Sequence, residues 1–350
     1  MKIQLNKFQL FLLMFIMQTG FVYTSFQTLV IEHSGRDSTI QFFVVAILFF
    51  LQFLLFERMH KYFVLSKFTK ALYLIYWAVY ITTFVVYLTY VLSTWVFINT
   101  PNSVLIAIFL SVCFYASISR PETAVNIGVV LIPMLILFII FMFRAIPNLK
   151  LTNLLPLLHE PKSTWALGFL YVTYAFTGAE VYLVLRKFVL KNEKINNKIL
   201  SIYFGILTFF YFIPGVFTLM YFSLEEIDLI PEPIFYILHS IEVTFVKRLD
   251  LFFIYIWLSW SLVAIVNFVL VMRLVYFEKK QKKPKLQLFI FFFVVGVTAT
   301  ILTRYSVVDF LKHYLVYVSV LFSVLFPILI ILVNKLRGKK VSESESNQSS

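Results

Sequence analysis

Two short stretches put hydrogen-bonding and ionisable side chains where such groups are costly. Gln18, Thr19 and Gly20 lie inside an apolar run over residues 8–31. Phe176, Thr177, Gly178, Ala179 and Glu180 lie inside another over 165–190. A carboxylate in the middle of a membrane span is expensive and marks a functional position by default. Glu180 can bind a ligand amine, carry a proton, or hold a fixed hydrogen bond between helices, and the sequence leaves all three open. Glycine, with no Cβ, lets a helix unwind, and unwound backbone at mid-membrane survives only where a cavity, a ligand or neighbouring protein satisfies it. The ends of the resulting half-helices favour a carboxylate on one side and a cation on the other. Two facing breaks therefore suit a small zwitterion such as an amino acid. Glycine and threonine also allow close packing of membrane helices, so each glycine taken alone reads equally as a seam or as a break.

The elements that must carry these stretches are membrane helices. Of 350 residues, 61% are hydrophobic and only 13% charged, against about half and a quarter in a soluble domain. Ten apolar segments can be marked, at 8–31, 40–56, 71–98, 103–119, 124–143, 165–190, 199–222, 249–277, 286–303 and 313–334. Their continuity and length exclude a β-barrel. Gly20 and Gly178 are 158 residues apart and fall in the first and sixth segments. The fold class expected is therefore all-α integral membrane, a LeuT-like five-plus-five inverted repeat with broken first and sixth helices. Residues 1–335 would form one transmembrane domain, with repeats over 8–143 and 165–334, and 336–350 a disordered cytoplasmic tail. The third and eighth segments should wall the cavity. They offer Thr83 and Tyr87, one turn apart on a face that Tyr90 continues, and Trp260, which shares a face with Asn267. For these tyrosines packing is the commoner role, and Asn267 fits an interhelical bond as well as a ligand contact.

Charge sets the orientation. With both termini cytoplasmic, 22 of the 30 Lys and Arg fall on that side, as the positive-inside rule requires. The basic run EKKQKKPK is then a cytoplasmic loop, and the loop holding Glu225, Glu226, Asp228 and Glu232 is external. The net charge of +13 calls for no nucleic acid. His33, His60, His159, His239 and His313 are scattered without metal-ligand spacing. No phosphate-binding glycine loop appears, and Cys113 is the sole cysteine. No enzyme activity, metal or cofactor is expected.

Several stretches carry a family likeness: LNKFQLFLLMF opening the first helix, Asn99–Pro101 between the third and fourth, SRPETAVNIGVVLIP at Ser119–Pro133, NLLPLLHE at Asn153–Glu160, FTGAE at Phe176–Glu180, and RLDLFFIYIW at Arg248–Trp257. In this order the chain resembles the spore germination permease family, the B subunits of germinant receptors within the amino acid–polyamine–organocation superfamily. It departs from the pattern in the single glycine of the first break, in Ala179 between Gly178 and Glu180, and in Asn126 where an arginine is expected. The resemblance implies a ten-helix inverted-repeat permease fold in the spore inner membrane. It also implies two partners, a larger membrane-embedded A subunit and a lipoprotein C subunit. The function implied is binding of a small germinant, an amino acid, and signalling the start of germination. A proton-coupled amino acid transporter would need the same cavity, and a scaffold subunit with a vestigial cavity would tolerate the departures.

Overall fold

The computed structural model describes residues 3–22, 24, 26–119, 121–158, 162–190, 192–241, 248–276, 285–305 and 307–339. Every apolar segment is helical. In chain order the helices are α1 (Lys7–Val22), α2 (Phe26–Ser34), α3 (Ser38–Met59), α4 (Lys67–Trp95), α5 (Asn102–Ile118), α6 (Pro121–Phe143), α7 (Lys162–Thr173), α8 (Val181–Leu185), α9 (Asn197–Tyr221), α10 (Leu224–Ile227), α11 (Pro233–Ser240), α12 (Leu249–Tyr276), α13 (Lys285–Arg304), α14 (Val308–Val320) and α15 (Phe326–Leu336). Side-chain caps set several starts. Ser66 accepts from the Thr69 N–H before α4, Asn196 from the Ile199 N–H before α9, and Ser223 closes a capping box with Glu226 on α10.

Among the described residues, eight helical segments are long and apolar enough to cross a membrane, and Lys7–Val22 and Asn102–Ile118 are apolar but shorter. One of the eight, Gln27–Tyr62, joins α2 to α3 through a 3₁₀ turn over Gly35–Asp37. The chain is thus an all-helical integral membrane protein. Its layers follow from burial: the apolar window of Leu249–Tyr276 is 78% buried, that of Lys285–Arg304 only 22%. Accordingly α12 is a central post, with α1, α4, α5, α6 and α11 packed around it, and α13 lies at the rim against α4 and α5. Exposed Phe289, Phe293 and Val297 on α13 suit lipid.

One correction concerns the first segment. The helix does not break at Gly20. It runs through to Val22 and resumes at Phe26, with Thr24 in the turn between. Gly20 stays helical because it is a packing residue: a Cβ there would stand 2.6 Å from the Ala264 Cβ on α12. The polar cluster marked a seam, and the interruption lies just beyond it. At the other end α15 extends to Leu336. The tail from residue 340, and all of the EKKQKKPK run except Lys285, lie outside the described residues.

The last segment holds a π-helical turn over Leu321–Leu325, between α14 and α15. Its cause is Pro327, which has no N–H to give the carbonyl four residues back and whose ring crowds that carbonyl. That carbonyl belongs to Ser323, and it is taken instead by the Gln52 side-chain amide at 2.8 Å. A widened turn of this kind is frequent at functional sites.

Candidate functional site

The sixth segment breaks where the sequence placed it. After α7 a 3₁₀ turn over Tyr174–Phe176 leads into Thr177–Glu180, and α8 begins at Val181. Gly178 has a φ of +92°, a left-handed conformation that side chains other than glycine rarely adopt. Part of the unwound backbone is satisfied by side chains nearby. The Gln18 amide nitrogen donates to the Phe176 carbonyl at 3.1 Å, and the Gly178 N–H donates to the Ser323 hydroxyl at 3.2 Å. The Ser323 hydroxyl in turn donates to Glu180 Oε2 at 2.7 Å, while Trp77 Nε1 donates to Oε1 at 2.9 Å. Glu180 is wholly buried. Trp77 and Ser323 are neutral donors, one from α4 and one from the π turn.

Gln18 ties the first segment to this break. Its side-chain oxygen accepts from the Tyr203 hydroxyl, and its backbone carbonyl accepts from the Tyr211 hydroxyl at 2.6 Å, both on α9. A second group forms the seam between α1 and α12. Trp260 Nε1 donates to the Thr19 hydroxyl at 2.8 Å, which itself donates to the Phe15 carbonyl, and Ser261 donates to the Gly20 carbonyl. Between the two groups Phe21 stacks on Phe84, with centroids 4.0 Å apart and rings 6° from parallel, and on Phe268 at 5.1 Å. Phe268 also reaches within 3.7 Å of where a Gly178 Cβ would stand. Aromatic rings thus fill the space between the two interrupted segments.

Of the residues singled out in the sequence, Gln18, Phe176, Thr177, Gly178 and Glu180 come together at the break, and Thr19, Gly20 and Trp260 at the adjoining seam. Tyr87 belongs elsewhere, to a network at the face opposite the N-terminus. Its hydroxyl donates to Glu232 Oε2 at 2.7 Å, so the Thr24 hydroxyl, 2.8 Å away, donates to Tyr87. Lys312 Nζ lies 3.9 Å from Glu232 Oε1, 3.5 Å from Asp309 and 4.7 Å over the Tyr87 ring. Burial lifts the Glu232 carboxyl from 4.5 to about 7, against the pull of Lys312. Thr83 is buried on α4 and no described hydrogen bond ties it to either group.

The residues missed by sequence reasoning are Trp77, Ser323, Gln52, Tyr203, Tyr211, Glu232 and Lys312. Pro327 was the available signal for Ser323. The signal for Trp77 was the aromatic stripe it forms with Tyr73, Tyr76 and Tyr80, buried at helical spacing on one face of α4.

At the N-terminal face the chain is closed as well. Leu5 pairs with the strand-like segment after α8, its N–H donating to the Phe188 carbonyl and its carbonyl accepting from Leu190, each at 2.9 Å. Arg186 grips Glu57 through two hydrogen bonds, at 2.8 and 2.9 Å, and Tyr182 donates to the same carboxylate at 2.6 Å. Such a two-point arginine–carboxylate pair is among the stronger polar contacts.

Compared with known proteins, residues 4–306 match the spore permease family model, described as spore germination protein. No curated protein matches the chain.

Proposed function

Because the chain belongs to the spore germination permease family, whose model covers most of its length, we propose that it is the membrane subunit of a germinant receptor that binds a small nutrient, an amino acid, at mid-membrane and signals the start of germination. The family is one of membrane receptors and transporters rather than of enzymes. The observation that carries the reading is the break at Gly178. It puts a buried carboxyl, a left-handed glycine and the Gln18 amide of the first segment within one hydrogen-bonded group. A carboxylate held by neutral donors suits a ligand ammonium, and the N–H groups of an unwound turn suit a ligand carboxylate.

In this reading the helices form ten spans in a five-plus-five inverted repeat, and both termini are cytoplasmic. The protein sits in the spore inner membrane beside an A subunit and a lipoprotein C subunit. The aromatic rings between the breaks and the closures at both faces make the present arrangement one of two. The ligand acts by preferring the other, since a ligand shifts an equilibrium only through differential affinity. The buried Glu180 carboxyl also fits a second reading, proton-coupled amino acid transport through the same site.

The test is thermal unfolding of the purified chain with a panel of amino acids, beside Glu180→Gln and Gly178→Trp. A midpoint shift with one amino acid, lost in both variants, is expected. Uptake into vesicles then separates transporter from receptor. A shift that survives in both variants, in folded protein, removes the site from this position.

A further inference from the structure

Four buried polar atoms that lack a hydrogen-bond partner lie along one side of α4. They are the Tyr76, Tyr80 and Ser319 hydroxyls and Glu232 Oε1, none on a residue more than 3% exposed. Tyr76, Tyr80, Thr83 and Tyr87 follow one another at helical spacing, and α14 packs against α4. The Tyr76 hydroxyl faces the Ser319 and Ser323 hydroxyls. The Tyr174 hydroxyl is within electrostatic range of Tyr76, Tyr80 and Tyr87. Tyr76 and Tyr87 are eleven residues apart, about 16 Å along the helix axis. Each end of this column meets a buried carboxyl: Ser323 donates to Glu180, and Tyr87 to Glu232, both at 2.7 Å. Elsewhere on α4, Thr82 and Thr89 bond back to the carbonyl four residues earlier, the usual way to hide a hydroxyl in a membrane helix. Ser319 does not do so, and unmet polar groups in a native interior call for an explanation.

We propose that this column is a proton relay joining the Glu232 carboxyl, at the face opposite the N-terminus, to the Glu180 carboxyl at the break, with buried water completing it where two hydroxyls do not meet. The chemistry of the column selects a proton. A hydroxyl accepts and donates at once, so it can pass a proton on without keeping a charge. Neutral hydroxyls among aromatic rings would leave a bare metal ion or an anion buried without compensation. Carboxyls linked through a membrane interior are a known form of proton relay. The donors near the break already point the right way. Ser323 gives its hydrogen to Glu180 and takes one from the Gly178 N–H, which leaves it a lone pair for Tyr76.

In the transfer, Glu232 gives up its proton and stays behind as a carboxylate beside Lys312, 3.9 Å away. Each hydroxyl or water passes its proton to the next oxygen and takes one from the oxygen behind it. Ser323 gives its proton to Glu180 Oε2, and Glu180 ends as a carboxylic acid. The negative charge thus moves from Glu180 to Glu232, and nothing between them is left ionised. Tyr73, Tyr76 and Tyr80 are the titratable groups facing Glu180, and Lys312, Tyr87 and Asp309 face Glu232. The relay rests on the second reading above only in taking Glu180 as a proton site.

The test is infrared spectroscopy of the full chain in lipid nanodiscs, without any amino acid, so that the relay stands or falls apart from ligand binding. The Glu180 carboxylic acid band is identified by its loss in Glu180→Gln, and its shift is timed after a jump into D2O. Tyr76→Phe and Ser319→Ala should each slow the exchange about tenfold or more, the effect on a rate of losing one net hydrogen bond from the path. Thr82→Val, which removes a hydroxyl tied to its own helix, should leave the rate unchanged. Melting curves confirm that each variant is folded. Exchange as fast in Tyr76→Phe and Ser319→Ala as in the parent would overturn the proposal and leave these hydroxyls to isolated buried waters. So would exchange slowed by Tyr73→Phe alone, which would bring the proton from the N-terminal face. A carboxyl that shows no acid band at any pH where the chain stays folded would overturn it as well.

Discussion

The Ser323 hydroxyl makes two contacts with one oxygen: it accepts from the Gly178 N–H and donates to Glu180. Removing it takes from the buried Gly178 N–H its hydroxyl acceptor and from the buried Glu180 carboxyl one of two side-chain donors. Each such loss costs about 1–3 kcal/mol. Ser323→Ala should therefore lower the unfolding temperature of the purified chain clearly, although it deletes a single oxygen. Glu180→Gln alone should also cost stability, since an amide cannot accept from both Trp77 and Ser323 on two equivalent oxygens. The two changes act on one hydrogen bond, so the double variant should cost less than the two singles added together. Strict additivity would mean that Ser323 and Glu180 do not share that bond in solution.

At the scale of elements, α1 is held to α12 by a glycine seam rather than by a broken turn. Gly20→Ala would put its Cβ 2.6 Å from that of Ala264, and neither backbone can yield without moving a helix. Overpacking of this kind costs about 1–3 kcal/mol. Ala264→Gly in the same chain should restore most of the loss, which melting curves of the single and double variants would read. If Gly20→Ala is silent, the seam is looser than the structure has it. The same seam explains what the sequence disclosed and what it hid. Long uncharged runs disclosed every helix, because lipid leaves no alternative for the backbone. Gly178 was legible because a glycine beside a mid-span carboxyl has few structural uses. Gln18, Thr19 and Gly20 look alike on paper but are satisfied across α9 and α12, and the true interruption at Thr24 carries no glycine within the described turn. Gln52 and Ser323, 271 positions apart, meet only because Pro327 frees a carbonyl, and one sequence names the proline but not its beneficiary. Glu232 read as one of four loop acids. That it alone is buried depends on α11 folding back onto α12.

For the molecule as a whole, anything that reaches the break must first open one face. The face opposite the N-terminus is closed by Thr24, Tyr87, Glu232 and Lys312, drawn from the first turn, α4, the loop before α11, and α14. The groups that face the Glu232 carboxyl are Lys312, Tyr87 and, more distantly, Asp309. Burial outweighs Lys312 and raises its pKa from 4.5 to about 7. The closed arrangement therefore binds a proton more tightly than one in which Glu232 meets water. Its stability is fully present below about pH 4.5, falls as pH rises, and has lost this contribution above about pH 7. Opening at this face should thus be favoured by neutral over acidic solution. Thr83→Cys, buried on α4 one turn from Tyr87, reports it in a Cys113→Ala background through modification by a membrane-impermeant thiol reagent. The rate relative to the same cysteine in Glu232→Gln cancels the intrinsic titration of the thiol. That ratio should climb on the order of tenfold or more between pH 5 and pH 7.5, as a carboxyl shifted from 4.5 to about 7 requires. A flat ratio would mean that Glu232 does not govern the closure, and the opening of this face would then have to rest on the Thr24–Tyr87 contact and the packing of α11.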